Sequence, residues 1–395
     1  MSPSSAAESR QVPGLDALLA SKEIIIICGS GGVGKTTTAA ALAAQAAIHI
    51  GGKVLVLTVD PAKRLANALG LQAFGNTETR VPPAAFRKAG VKPRGELWAA
   101  MLDTQAGWDE LIRRHAPDQQ LRDTVLANPL YRNITGRFVQ SHDYIAMERL
   151  YELHAAGAYD LIIVDTPPSR NALDVLDAPG RMREFFGSRL LRWLTVPYRS
   201  RLFTVASKPF YQVADRVLGS RFLQDIAEFF ILFQTMEAGF VARAQEVERL
   251  LADRRTSFLV VSTLESAPAH EALFLAEALH KRGLPLGGIV LNRVLPEALR
   301  DPAAAAAAVQ LQTVARQTQP AQLLADQLSA DPAVIQRILG EVGERFHDLA
   351  VVGSRELERR VELERIAPLS VAAPLLDNDV HDLGGLLELG YHLWR

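Results

Sequence analysis

The chain has 395 residues, 48% hydrophobic and 22% charged, with a formal net charge of -1. That is an ordinary globular composition with enough apolar side chains for a large core, and it creates no global field that would draw the chain to nucleic acid. Cys28 is the only cysteine, which excludes an intramolecular disulfide and any cysteine-only metal site within one chain and fits a reducing compartment.

The first residues are polar and rich in Ser and Ala, without the apolar segment of a signal peptide, so residues 1–19 read as a flexible N-terminus. No run approaches the ~20 apolar residues that span a bilayer, and the expected location is cytoplasmic. Apolar, β-rich runs then recur at 23–28, 54–59, 96–101, 161–164, 258–262 and 288–291. Several are continuous rather than alternating, as strands buried on both faces of a parallel sheet are. Helical patterns lie between them, so the fold class is α/β, a mostly parallel sheet flanked by helices. The strands span almost the whole length, which gives a single domain over 20–395. The stretches at about 103–158, 179–255 and 301–366 exceed simple crossovers and predict a helical subdomain built from insertions. Residues 75–95, with Pro82, Pro83 and Pro93, read as an exposed loop. Asp301-Pro302 ahead of six alanines marks a helix start.

The first strand runs into Gly29-Ser30-Gly31-Gly32-Val33-Gly34-Lys35-Thr36, followed by Thr37 and a helical pattern to 47. This is the G-x-x-x-x-G-K-[ST] phosphate loop of ATP-binding folds in its proper strand–loop–helix setting. Glycines let backbone N–H groups turn toward phosphate oxygens, and the helix N-terminus adds its positive end. Lys35 is placed to reach the β and γ phosphates, and the Thr36 hydroxyl to bind Mg²⁺. Asp60 and Asp165 each end an apolar strand. Asp165 is assigned to hold Mg²⁺ through water, which leaves Asp60 to orient or deprotonate an attacking water. A helix N-cap is the other role open to either aspartate.

Gly-Gly-Val-Gly-Lys-Thr-Thr, Asp60-Pro61-Ala62, Asp165-Thr166-Pro167-Pro168 and the late Val-Leu-Asn292-Arg293 together resemble the ArsA family of arsenite-pump and tail-anchored-protein-targeting ATPases. The resemblance implies a dimeric ATPase switch with facing nucleotide sites, Asp60 as the residue acting on the hydrolytic water, residues 165–168 as the second switch, and Asn292 as the reader of adenine. A loop asparagine satisfying backbone groups is the alternative for Asn292. Where the family carries a second phosphate-loop lysine that reaches the partner's phosphates, this chain has Ser30. Lys63, Arg64 and Arg170 are candidate substitutes for the lost charge, or else solvated surface cations. The cysteines that bind a bridging zinc or arsenite in some members are absent, so no zinc is expected.

Nine of the 15 phenylalanines lie in 185–240. Phe222, Ile226, Phe229, Phe233, Met236, Phe240, Ala244, Val247 and Leu251 form one helical stripe, read either as core or as a groove for a hydrophobic client. Upstream, 181–221 holds nine Lys or Arg against Glu184 and Asp215, and its interleaved aromatics suit an anionic membrane surface or the solvated side of amphipathic helices. The expected function is an ATP-hydrolysing switch, a homodimer or a heterodimer with a paralogue, acting on a hydrophobic or membrane-associated client through 181–251. An energising subunit of an anion or metalloid pump and a weakly hydrolytic regulatory subunit are the alternatives.

Overall fold

The computed structural model describes residues 14–59, 63–71, 76–128, 141–167 and 234–394, with positions 131, 177, 180, 181, 184 and 229–231. Seven parallel strands and one antiparallel edge strand form a single sheet in the order β3-β4-β2-β5-β1-β6-β7-β8. They are β1 (Ile24–Cys28), β2 (Lys53–Thr58), β3 (Thr79–Arg80), β4 (Glu96–Met101), β5 (Leu161–Asp165), β6 (Thr256–Ser262), β7 (Leu286–Val294) and β8 (Ser370–Pro374). All five residues of β1 are buried, as are all five of β5 and all seven of β6. Their continuous Ile, Val and Leu runs follow from having helices on both faces, because a parallel sheet has no solvated side on which polar residues could alternate.

One face is covered by α1 (Leu15–Ala20), the Ala-rich α2 (Lys35–His49), α3 (Lys63–Ala68), α4 (Pro83–Lys88) and α13 (Leu383–Leu393). The other carries α5 (Thr104–His115), α7 (Ser141–Ala155), α8 (Glu237–Leu251) and α9 (Ser266–Lys281), with α6 (Gln119–Ala127) beside α5. α10 (Pro302–Ala315), α11 (Thr318–Leu328) and the 35-residue α12 (Pro332–Ile366) fill the interval between β7 and β8. Asp301 caps α10 by accepting from the Ala303 N–H at 2.9 Å with Pro302 in its first turn, and Asp331-Pro332 repeats the device at α12. Among the described residues no helix is long and apolar enough to cross a membrane.

Two expectations need correction, and one strand lies where none was expected. The N-terminus is not flexible as far as residue 19: Leu15 and Leu19 of α1 are buried against the sheet. Residues 75–95 are not all loop. The two-residue β3 and α4 lie inside them, with Val81 buried just after β3 and Phe86 buried in α4, because Pro83 opens a helix as readily as it breaks one. β8 went unread because Ser-Val-Ala-Ala-Pro carries little β-branched or aromatic signal.

The described part of the Phe-rich stripe is core. Phe229, Met236, Phe240, Ala244, Val247 and Leu251 are buried in the cluster that also holds Trp108, Tyr144 and Phe258. The Phe240 ring lies 6.3 Å from that of Trp108 and 5.3 Å from that of His115. Phe222, Ile226 and Phe233 lie outside the described residues, as does most of 181–221. A polar contact sits at the edge of this core: Arg243 Nε is 3.1 Å from Oε1 of the buried Glu148. Burial outweighs the nearby guanidinium and pushes the Glu148 carboxyl up to about 7.

Two stability outcomes are expected. Phe240→Ala removes a fully buried ring and should lower unfolding free energy by ~3–5 kcal/mol in denaturant titrations. Glu148 keeps its proton in the folded chain at pH values where the unfolded chain has lost it, so its contribution is complete below about 4.5 and is lost as pH rises through about 7. Thermal scans of Glu148→Gln should therefore show a flatter pH profile than the parent across that window, with the gap in midpoint moving in the variant's favour as pH rises.

Candidate nucleotide site

β1 ends at Cys28 and the chain turns through residues 29–34 into α2 at the C-terminal edge of the sheet. Two positions in the turn accept only glycine. Gly29 has φ +149°, and a Cβ there would lie 2.1 Å from the Val261 carbonyl oxygen of β6. Gly34 has φ +95°, and its Cβ would lie 2.4 Å from Asn292 Nδ2. The loop is thereby pressed between β6 and the end of β7. No side chain caps α2, so its first-turn N–H groups are available to an anion, as at any uncapped helix start.

Lys35 is buried, and its Nζ donates to the Ser30 carbonyl at 2.8 Å, which folds the lysine back over the loop. Thr36 Oγ1 donates to Asp165 Oδ2 at 2.6 Å, and Thr58 Oγ1 donates to the same oxygen at 2.9 Å. Asp165 is 0% exposed at the end of β5, in register with Ile27 of β1 and Thr58 of β2. One carboxylate oxygen therefore joins three segments. The Thr36 hydroxyl has given its single proton to Asp165, and an oxygen in that state still has lone pairs to offer. Hydroxyl and carboxylate oxygens are the donor set of a hard cation such as Mg²⁺. Cys28 lies just before the loop. Burial, partly offset by Lys35, pushes its thiol up to about 12, so it stays protonated and inert.

A cleft of about 630 Å³ opens from Lys35, Thr36 and Thr37, passes Leu65, Asn67 and Ala68 of α3, and ends against Pro374 at the end of β8 and the chain beyond it at Leu375, Leu376 and Val380. Its size and its mixed lining of apolar and polar side chains suit a nucleotide. Asn292 and Arg293 line it as well. The Asn292 amide donates to the Val33 carbonyl at 2.8 Å and accepts from the Arg293 N–H at 3.0 Å, so it does bind backbone. An amide has two N–H bonds and two lone pairs, which leaves one of each for a base edge.

Residues 29–37, Asp165 and Asn292 are thus brought together. Lys63 and Arg64 open α3, whose next residues wall the cleft. Asp60 and Arg170 lie outside the described residues. Sequence reasoning missed Thr58, the cleft-lining role of Arg293 and the segment after β8. Thr58 stands two residues before Asp60 and was legible as the strand's last inward polar group, whereas the segment after β8 carries no motif.

Residues 22–326 match the anion-transporting ATPase family, ArsA. An uncharacterized protein of Streptomyces coelicolor is 31% identical over 281 residues, 69% of this chain and 63% of that protein. ATPase GET3 of Malassezia globosa is 25% identical over 300 residues, covering 75% of this chain and 80% of its own length. The ATPase ASNA1 homolog of Trypanosoma cruzi is 28% identical over 315 residues, with 73% and 79% covered. With a parallel sheet, a glycine-bounded phosphate loop and a match of this extent, the chain belongs to the anion-transporting ATPase family of P-loop ATPases.

Proposed function

We propose that this chain is a dimeric ATP switch that couples ATP binding and hydrolysis to the binding or targeting of a hydrophobic or membrane-associated client. The observation that carries the reading is the hydrogen-bonded link from Thr36 to Asp165. It connects the phosphate loop to the last residue of β5, from which the chain continues through Thr166 and Pro167 toward the 179–255 insertion. In this reading a change in charge or position at Thr36 moves Asp165 and, through it, the chain that leads into residues 179–255.

The chemical roles follow from the residues. Lys35 and the first N–H groups of α2 offset the phosphate charge. Thr36, with Asp165 behind it, would hold Mg²⁺, which supplies charge neutralisation at the terminal phosphoryl group. Asp60 orients or deprotonates the attacking water. Asn292 offers its second N–H and lone pair to adenine. Ser30 brings no positive charge, so Lys63, Arg64 or Arg170, or a paralogue with lysine at that place, completes the site across a dimer. The described part of the client segment's apolar stripe is core, which leaves a client surface to the rest of that segment or to other helices. A pump-energising role draws on the family's description, but Cys28 provides no thiolate for a metalloid.

Lys35→Ala should nearly abolish ATP binding in calorimetric titration, and near-native affinity would refute the phosphate-loop assignment. Asp60→Asn should retain ATP while losing ~10²–10⁴ in turnover. Asp165→Asn should shift the Mg²⁺ dependence of nucleotide binding, and a titration that overlays the parent would remove Asp165 from the metal site. Added arsenite should leave steady-state hydrolysis unchanged. If Lys63 or Arg64 supplies the missing charge, its alanine variant slows the homodimer and Ser30→Lys adds little; the reverse pattern points to a paralogue.

A further inference from the structure

Arg293 stands in a backbone conformation that side-chain-bearing residues avoid. Its φ is +58°, and the only other described non-glycine residue with positive φ is Ser329, which caps the C-terminus of α11. A left-handed residue inside a strand is unfavourable for any residue with a Cβ and persists only where its surroundings fix it. Here they do so in two ways. The Asn292 Oδ1 takes the Arg293 N–H while the other end of that amide holds the Val33 carbonyl. The pairing of β7 with β8 also shifts register between Leu291 and Val294, which places Arg293 in an irregular stretch of the ladder.

The consequence is positional. Asn292 and Val294 stay buried, while Arg293 is exposed and lines the cleft. Among the described residues its guanidinium makes no hydrogen bond or ion pair. The sheet order gives the cleft a direction: Thr58 and Asp165, at the ends of β2 and β5, lie on one side of β1, whereas β7 and β8 lie on the other. The cation and terminal phosphates belong with the first pair. The chain after β8, where Leu375, Leu376 and Val380 line the cleft together with Asn378, Asp379 and His381, offers both apolar surface and polar groups and belongs with the base. An uncommitted guanidinium beside that stretch can lie over a purine face or donate to its ring nitrogens.

Resting on the nucleotide reading above, we propose that Arg293 is a specificity-determining residue that contacts the base end of the bound nucleotide, and that the left-handed kink in β7 is the device that aims it. The phosphate end owes nothing to it.

The test compares ATP with inorganic tripolyphosphate, which has the phosphates without the base, by calorimetric titration of the full chain. Arg293→Ala should weaken ATP ~3- to 30-fold, the range of a cation–π or charged hydrogen-bond contact, and leave tripolyphosphate within about twofold. Arg293→Gly also lacks the guanidinium but fits φ +58° freely; it should lose ATP affinity equally while unfolding at no lower temperature than the parent. ATP affinity unchanged in both variants would overturn the proposal. Equal loss of tripolyphosphate would also overturn it, by placing Arg293 on the phosphates. So would an Arg293→Gly variant that binds ATP normally, since the backbone alone would then explain the alanine result. If Lys35→Ala and the parent bind both ligands equally, or the parent binds neither, the nucleotide reading itself fails and the proposal with it.

Discussion

The buried carboxylate of Asp165 is the contact on which the rest of the site depends. It accepts from Thr36 at the start of α2 and from Thr58 at the end of β2, so one side chain fixes the relative positions of the phosphate loop and two adjacent strands. A carboxylate taken out of water is costly unless it is well hydrogen-bonded. That cost ensures the two hydroxyls stay where they are in the absence of ligand. Any displacement of Thr36 must therefore also move Asp165 or break a short hydrogen bond.

The opposite side of the site is held by different means. Asn292 clamps Val33, and Gly34 has no Cβ to obstruct it. Beyond β7, α12 supports the chain: Glu356 accepts from the Leu295 N–H at 3.4 Å, and Arg359 donates to the Leu264 carbonyl at 2.8 Å. Burial raises the Glu356 carboxyl, with the Leu295 N–H and nearby arginines opposing that shift. The C-terminal half of a 35-residue helix thus braces the segments that leave β6 and β7 beside the cleft, while its N-terminal half packs with α11 in a separate small cluster around Ala321, Ala325 and Ile335. The outer helices and the cleft edge therefore contact one continuous helix.

The helical face that carries α5, α7 and α8 is a packed core in its described part rather than an open groove. Apolar residues at spacings of three and four specify a face but do not say what covers it. Phe240 is covered by Trp108, Tyr144 and His115, residues from two helices more than 80 positions upstream. That arrangement could not be anticipated from the stripe itself.

What the sequence by itself determined is local: continuous apolar runs for the buried strands, the glycine-spaced loop ahead of Lys35 and Thr36, and the Asp301-Pro302 pair at the start of α10. Each is legible because the physical requirement is met by residues adjacent in the chain. Tertiary structure decided what depends on distant partners. Arg80 and Ala372 belong to strands only because neighbours pair with them. Thr58 joins the site because parallel register sets it opposite Asp165. Gly29 and Gly34 are required because β6 and Asn292, more than 200 residues away, press against them, and Arg293 faces the cleft because a hydrogen bond and a shifted register hold its backbone where a lone strand would not go.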